Sequence, residues 1–459
     1  MMRVHALAAA CARRAPARGY SVLADAPSPV TYTRKGPQPA AAPPAVKTVS
    51  KAASGVTVAT YDHLGPQSSL AIVVNAGSRF ESADAPGVAH LLKASLVRTP
   101  ENDTVTRLIQ EAELRGNTLY SAVSREHLVL ASDFLRDDLV DVVPTLVSQV
   151  FNRSFHPYEF LDAAALTEQQ TAVSLEDPAT HLFEKLHQVA FRTGLGNSLF
   201  ASHDALHALD RAKLQAFADK HFTADRITVV GSGVSHTELK ALVDAAFADV
   251  KLSSAKAETA RSRYFGGEAR IDAGPHSEAH YAVTFPGVAY GSPEYNTSLV
   301  VRALLDGSKR VKWGSRGGAL GLLSAAATEN TTSQAVSISY SDAGLIGFHV
   351  AGKGGDVKQV VSKSLESLRS LASGVSAEAL AGAKKAAIIA AEEAATRAGL
   401  VDSVGRGAAA TGAFHASADV LAINNVTASD VQKLVQGALA AKPSVVALGG
   451  ATLPYADEL

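Results

Sequence analysis

"APGVAHLLKASLVRTP", Ala85 to Pro100, is the stretch on which the reading of this chain turns. Gly87 opens an apolar, helix-forming run, and His90 sits inside it. A metal-binding helix of the His-x-x-Glu-His kind sets two imidazoles one turn apart with a carboxylate beside them. Here the fourth position is Lys93 and the fifth is Ala94. An ammonium accepts no proton from a metal-bound water at neutral pH, and it adds positive charge where a divalent cation would sit. A methyl group has no donor atom, and one imidazole does not hold zinc against water. On its chemistry alone, His90 reads as a core histidine on an apolar helix, so no metal and no cofactor are expected.

Working outward, the flanks of that helix predict strands and further helices. "GVTVATYD" (55–62) and "SSLAIVVNAG" (68–77) are β-branched and bounded by Gly and Pro, which predicts two strands before it. "DTVTRLIQEAELRG" (103–116) predicts a helix after it, and "TLYSAVSREHLVLAS" (118–132) a strand pair or one long bent strand. Long helices are expected over 136–150 and 157–192, then a strand over 225–233. Ser235 and Glu238, three apart, predict a capping box ahead of a helix whose buried stripe is Leu239, Leu242, Val243, Ala246 and Phe247. Polar, aperiodic "DVKLSSAKAETARSR" (249–263) reads as a linker.

Beyond it the order repeats. Two strands are expected around a turn in "EARIDAGPHSEAHYAVTFPG", then a helix in "SPEYNTSLVVRALLDG" and a strand pair in "TTSQAVSISYSDAGLIGFHVAG". Helices follow over 356–373 and 376–399, then a helix begun by Thr427 with Asp430 at its third position, and a closing strand in "SVVALGG". Both halves therefore read strand–strand–helix–strand–strand–helix–helix, an α+β unit present twice, each a mixed, mostly antiparallel sheet flanked by helices.

Composition narrows the function classes. With 459 residues, of which 47% are hydrophobic and 19% charged, the chain has material for more than one core. A net charge of −1 gives no polybasic footprint for nucleic acid. No uninterrupted apolar run reaches the ~18 residues of a membrane span. The one cysteine, Cys11, excludes a disulfide framework and a cysteine–zinc site. The first twenty residues carry Arg3, Arg13, Arg14 and Arg18 and no acid, which reads as a mitochondrial transit peptide or, more plainly, a basic tail. "Arg18-Gly19-Tyr20-Ser21" is similar to the cleavage pattern of matrix presequences; a start at Ser21 takes the net charge from −1 to −5. The expected organisation is a transit peptide at 1–20, a Pro/Ala-rich lead-in at 21–46, a first domain at 47–250, a linker at 251–263 and a second domain at 264–459.

Two other motifs compete for attention. His203 and His207 in "HDALH" are four apart, but Asp204 is not at the position of a catalytic Glu and no third ligand suggests itself. "VVGSGVSH" follows a strand and precedes a helix, as a dinucleotide loop would, yet His236 stands where the third glycine belongs. A strand-to-helix turn is the simpler reading. There is no Gly-x-Ser-x-Gly elbow and no phosphate loop.

Two similar α+β halves, the "GSRFES" turn (77–82) and the helix "GVAHLL" (87–92) together resemble the mitochondrial processing peptidase family of inverted zincins. Active members read Gly-x-Ala-His-Phe-Leu-Glu-His, and this chain keeps Gly87, Ala89, His90 and Leu92 but departs at Lys93 and Ala94. The third ligand of active members is a Glu about 76 residues further on. That count arrives at Gln170, and Glu168, two residues away, points elsewhere on a helix. The resemblance thus implies an inactive peptidase homologue with degenerate positions His90, Lys93, Ala94 and Gln170. It is closer still to the core subunits of mitochondrial ubiquinol–cytochrome c reductase, respiratory complex III. "HLFEKLHQVAFRTGLGNSLF" (181–200), "GVSH" (233–236), "VKWGS" (311–315), "SYSDAGLIGF" (339–348) and "ADEL" (456–459) carry that likeness. It implies a non-catalytic subunit that supports assembly and stability, peripheral on the matrix side of the inner membrane. Its implied partners are core protein 1, cytochrome b, cytochrome c1 and the small subunits of the complex. The alternative is a non-catalytic, presequence-binding subunit of the processing peptidase. The relative of that kind carries a dense glycine loop, against which "WGSRGGALG" (313–321) is sparse.

Overall fold

The computed structural model describes residues 46–63, 65–100, 104–153, 155–250, 252, 259–274, 278–306, 321–394, 407, 420–450 and 453–458. All of them lie in one compact unit, Pro44–Leu459. The expected transit peptide, nearly all of the lead-in, much of the linker and nearly all of the "WGSRGGALG" segment fall outside the described residues.

The first half begins with three strands, β1 (Val46–Lys51), β2 (Thr57–Asp62) and β3 (Gln67–Val74). Helices α1 (Val88–Ala94) and α2 (Val105–Arg115) follow, then the hairpin of β4 (Thr118–Val123) and β5 (Leu128–Leu135). Next come α3 (Leu139–Phe151), α4 (Pro157–Glu176), α5 (Pro178–Phe191), the short α6 (His203–Ala208) and α7 (Arg211–His221). Strand β6 (Ile227–Ser232) and α8 (His236–Ala246) complete this half. The second half runs β7 (Gly267–Ile271), β8 (Ala279–Pro286), α9 (Tyr295–Leu305), α10 (Leu323–Ala326), β9 (Thr331–Ser339) and β10 (Gly344–Gly352). It closes with α11 (Gly354–Ser373), α12 (Ala377–Ala394), α13 (Val420–Asn425), α14 (Ala428–Leu439) and β11 (Ser444–Leu448).

The two sheets have one topology. The first is ordered β1-β2-β6-β3-β5-β4 and the second β7-β11-β8-β10-β9. In each, a parallel pair (β2 with β6, β7 with β11) is followed by antiparallel pairings only. Strand β1 is the one addition to the shared sheet order; it is not expected as a strand because "VKTVSK" is short and follows a Pro/Ala-rich stretch. The inner strands β3, β8 and β10 are buried on both faces, which is why they read as continuous apolar runs rather than alternating ones.

One face of the first sheet (Leu70, Ile72, Val74, Leu130) packs on α1, α3, α7 and α8 through Leu91, Leu146, Leu214 and Val243. One face of the second (Tyr281, Val283, Phe348, Val350) packs on α9, α11 and α14. The other face of the second sheet (Ala282, Leu345, Val446, Leu448) is covered by a helix of the first half, α5, through Leu182, Leu186, Ala190 and Phe191. Each of those large side chains, buried almost completely, contributes roughly 1.5–3 kcal/mol.

That helix corrects the single helix expected over 157–192. The chain breaks at Asp177, whose carboxylate caps the new helix by accepting from Thr180 N at 3.0 Å, and Pro178 takes the first helical position. The region 118–132 is a hairpin rather than one bent strand. The capping box at Ser235 is absent: Ser235 is the N-cap residue but makes no side-chain capping bond, and its hydroxyl meets Thr237 Oγ1 instead. The one at Thr427 forms in full.

Candidate functional site

Helix α1 is set in place by its own N-cap and by one residue of the "GSRFES" turn. Gly87, at its N-cap, has φ +79°, and a Cβ there would run into Ala201 Cβ, so only glycine fits. The Glu81 carboxylate accepts from Gly87 N at 2.7 Å and Ala89 N at 2.9 Å, satisfying two backbone donors at the start of the helix. Burial pushes the Glu81 carboxyl up to about 7, while those two donors pull the other way. Val88, Ala89, Leu91 and Leu92 then fill the core, which fixes the direction of the remaining side chains.

His90 is buried at 3% exposure. Its Nδ1 accepts from Ala201 N at 3.3 Å, which leaves the ring proton on Nε2, 3.3 Å from Gln170 Oε1. The ring stands edge-on to Phe200, centroids 5.8 Å apart. Lys93 Nζ donates to the same Gln170 Oε1 at 2.8 Å. Burial, and then the Lys93 charge, lower the His90 imidazole to about 4, so it is neutral at physiological pH. Burial also lowers the Lys93 ammonium. Ala94, one turn beyond His90, offers only a methyl group, which packs against the core of the first half. The structure therefore brings His90, Lys93 and Gln170 together and leaves Ala94 outside the cluster.

Gln170 arrives on α4, which lies against α1 and buries Ala163 and Thr167. Two residues before it, Glu168 points to the far side, where it pairs with His203 Nδ1 at 2.6 Å on the exposed surface. His203 and His207 do share the short helix α6, with ring planes crossed at 77°. Among the described residues no group of three or more His, Cys, Asp or Glu is placed to hold a metal ion.

Zinc is the metal that the inverted-zincin resemblance implies, and the residues present do not fit it. The position of the proton acceptor holds an ammonium, that of the second imidazole a methyl, and that of the carboxylate an amide whose oxygen already accepts two hydrogen bonds. A cation site needs lone pairs turned inward; here the inward groups are N–H donors.

The cluster opens on a cleft of about 560 Å³ between α1, β4 and α4, with Lys93, Ser121, Val123, Leu166 and Val173 in its walls. Strand β4 is the terminal strand of its sheet. The glycine turn at "VVGSGVSH" is filled by protein: Ser68 Oγ donates to Gly233 O at 2.7 Å, and a Cβ at Gly231 would meet the Val234 side chain. His236 contacts Ser50 Oγ at 2.8 Å and Thr60 Oγ1 at 2.9 Å, so this segment fastens α8 to β1 and β2.

Sequence reasoning did not find the roles of Glu81, Phe200 and Ala201. Glu81 lies within a quoted turn, but nothing in spacing says that its side chain folds forward onto a helix six residues on. Phe200 and Ala201 reach His90 from a loop more than a hundred residues away, and no periodicity records such a contact.

Residues 56–203 match the family described as Insulinase (Peptidase family M16), and residues 208–387 match the Peptidase M16 inactive domain. The chain is similar to the protein named mitochondrial cytochrome b-c1 complex subunit 2 from several organisms. It is 33% identical to that of Cryptococcus neoformans var. grubii, over 89% of this chain and 93% of the relative. The identity is 32% to that of Neurospora crassa, over 97% and 98%, and 27% to that of Homo sapiens, over 92% and 94%. The alpha subunit of the mitochondrial-processing peptidase of Solanum tuberosum is 26% identical over 61% of this chain and 56% of the relative. With both halves matched and full-length likeness above 30% identity, the chain belongs to the M16 peptidase family, beside the cytochrome b-c1 complex subunit 2 proteins.

Proposed function

We propose that this chain is a non-catalytic core subunit of mitochondrial complex III, of the core protein 2 kind, which supports assembly and stability of the ubiquinol–cytochrome c reductase. The observation that carries this reading is the donor-lined cluster of His90, Lys93 and Gln170 in a chain whose full-length relatives are named as subunits of the cytochrome b-c1 complex. A peptidase of this family would need a base to take a proton from water, and Lys93 has no lone pair to offer while charged. Its place is the mitochondrial inner membrane, on the matrix side. Among the described residues no helix is long and apolar enough to cross a membrane, which supports attachment through partners. Core protein 1, cytochrome b, cytochrome c1 and the small subunits are the partners of this reading. Residues 1–20 serve it as an import segment, 21–46 as a lead-in and 251–263 as a linker between peptidase-like domains.

The test is purification of the tagged chain from detergent-solubilised mitochondria. Cytochromes b and c1 together with core protein 1 are the expected companions. Recovery instead with a single peptidase subunit bearing an intact His-x-x-Glu-His would replace this reading by the presequence-binding one.

A further inference from the structure

The cluster that fails as a cation site has the makings of the opposite. Lys93 Nζ gives one of its hydrogens to Gln170 Oε1 and pairs with no carboxylate among the described residues. Gln170 Oε1 is taken by both Lys93 and the His90 ring proton, so the Gln170 Nε2 amide, two more donors, is turned to what remains around it. Lys93 and Gln170 both line the 560 Å³ cleft, within the size range of ligand sites. On α4, Leu166, Gln170 and Val173 stand four and three residues apart, on one helical face, and both apolar members are exposed. Phe200 and Val123 add apolar wall. A half-buried ammonium in such walls has lost part of its hydration, and a carboxylate brought to it restores the charge balance in a medium that screens the pair weakly.

We propose that this cleft binds an acidic side chain of an extended protein segment, its carboxylate held by Lys93 Nζ with the Gln170 amide beside it, and its neighbouring apolar residues laid on Leu166 and Val173. The occupant is a peptide rather than a free anion, because an acid alone would leave those two exposed apolar side chains, about one helical turn to each side of Gln170, in water. A basic segment is disfavoured, because it brings like charge to Lys93.

The test uses the full chain and a dye-labelled nonapeptide, acetylated and amidated, of Ala, Val and Leu around one central Glu; its twin carries Gln. The Glu peptide should bind about ten-fold more tightly than the Gln twin, the worth of one shielded charge-assisted contact. That preference should shrink as salt is raised. It should vanish in Lys93→Met and in Lys93→Gln, either of which also removes a desolvated charge, and it should persist in Lys93→Arg. Equal binding of the twins, or a preference that survives loss of the Lys93 charge, overturns the proposal. Competition by propionate as strong as that by the Glu peptide overturns the choice of a peptide as occupant.

Discussion

At the scale of single residues, the structure stores four buried histidines neutral. Burial is the leading cause at each: His90 is lowered to about 4, His187 to about 3, His221 to about 4 and His349 to about 4. Nearby charge adds to it, from Lys93 at His90, Arg125 at His187 and Arg226 at His221. In the unfolded chain each takes up a proton near pH 6.5. Between about 6.5 and 4 the unfolded state therefore binds more protons, so stability falls as pH falls. Glu81, raised to about 7, works in the other direction: its contribution is complete below about 4.5 and is lost as pH rises through 7. Four groups against one set the net sign. Urea unfolding should show lower stability at pH 5 than at pH 7, each of these four histidines costing about 2 kcal/mol. Substituting His187→Gln should flatten that dependence.

At the scale of elements, two helix starts that look alike in sequence differ in the structure. Thr427 Oγ1 accepts from Asp430 N at 3.3 Å while Asp430 Oδ2 accepts from Thr427 N at 2.9 Å, a closed capping box. Ser235 and Glu238 have the same spacing and form none. Thr427→Ala should cost about 1 kcal/mol in chemical denaturation and Ser235→Ala less than about 0.5. Spacing names the candidates; which neighbour a hydroxyl meets is settled by packing, and here Thr237 took it. The same limit runs through the rest of the fold. Periodicity and turn residues sufficed for the repeated order of strands and helices, because each element's apolar face matches its period. They did not suffice at Asp177-Pro178, where a helix-forming pattern on both sides masked a cap and a first-turn proline. For the site, Lys93 and Ala94 were legible as chemistry, and Gln170 only through the spacing of a resembled family. Its shared oxygen, held by two donors from one helix, was not legible at all.

At the scale of the whole molecule, two of the quoted motifs turn out to be partners. Arg79 of "GSRFES" is buried at 7% exposure and meets "SYSDAG" of the second half. Its Nη1 donates to Glu126 Oε1 at 2.6 Å, Ser341 Oγ at 3.1 Å and Asp342 Oδ1 at 2.8 Å. Its Nη2 donates to Asp342 Oδ2 at 2.6 Å and to Ala260 O at 2.9 Å. Ser341 N in turn donates to Glu126 Oε2 at 2.9 Å. Replacing Arg79 by Leu would leave Glu126 and Asp342 without their cation, and denaturant unfolding should record a loss of about 3–5 kcal/mol. The exposed pair of Arg107 and Glu111 is the control: Arg107→Ala should cost less than about 0.5 kcal/mol.

Helix α5 belongs to the first half by sequence and to the second by contact, since its Leu182, Leu186 and Phe191 cover one face of the β7–β11 sheet. The repeat in this chain is therefore one of pattern and not of independence. Severed in the polar stretch beyond residue 250, the front piece would carry an oily ridge with nothing to lie on, and the rear piece a bare sheet. Two modules that look interchangeable on paper have become one indivisible body, and whatever assembly process handles this protein must keep the unfinished front half from sticking until the back half has been made.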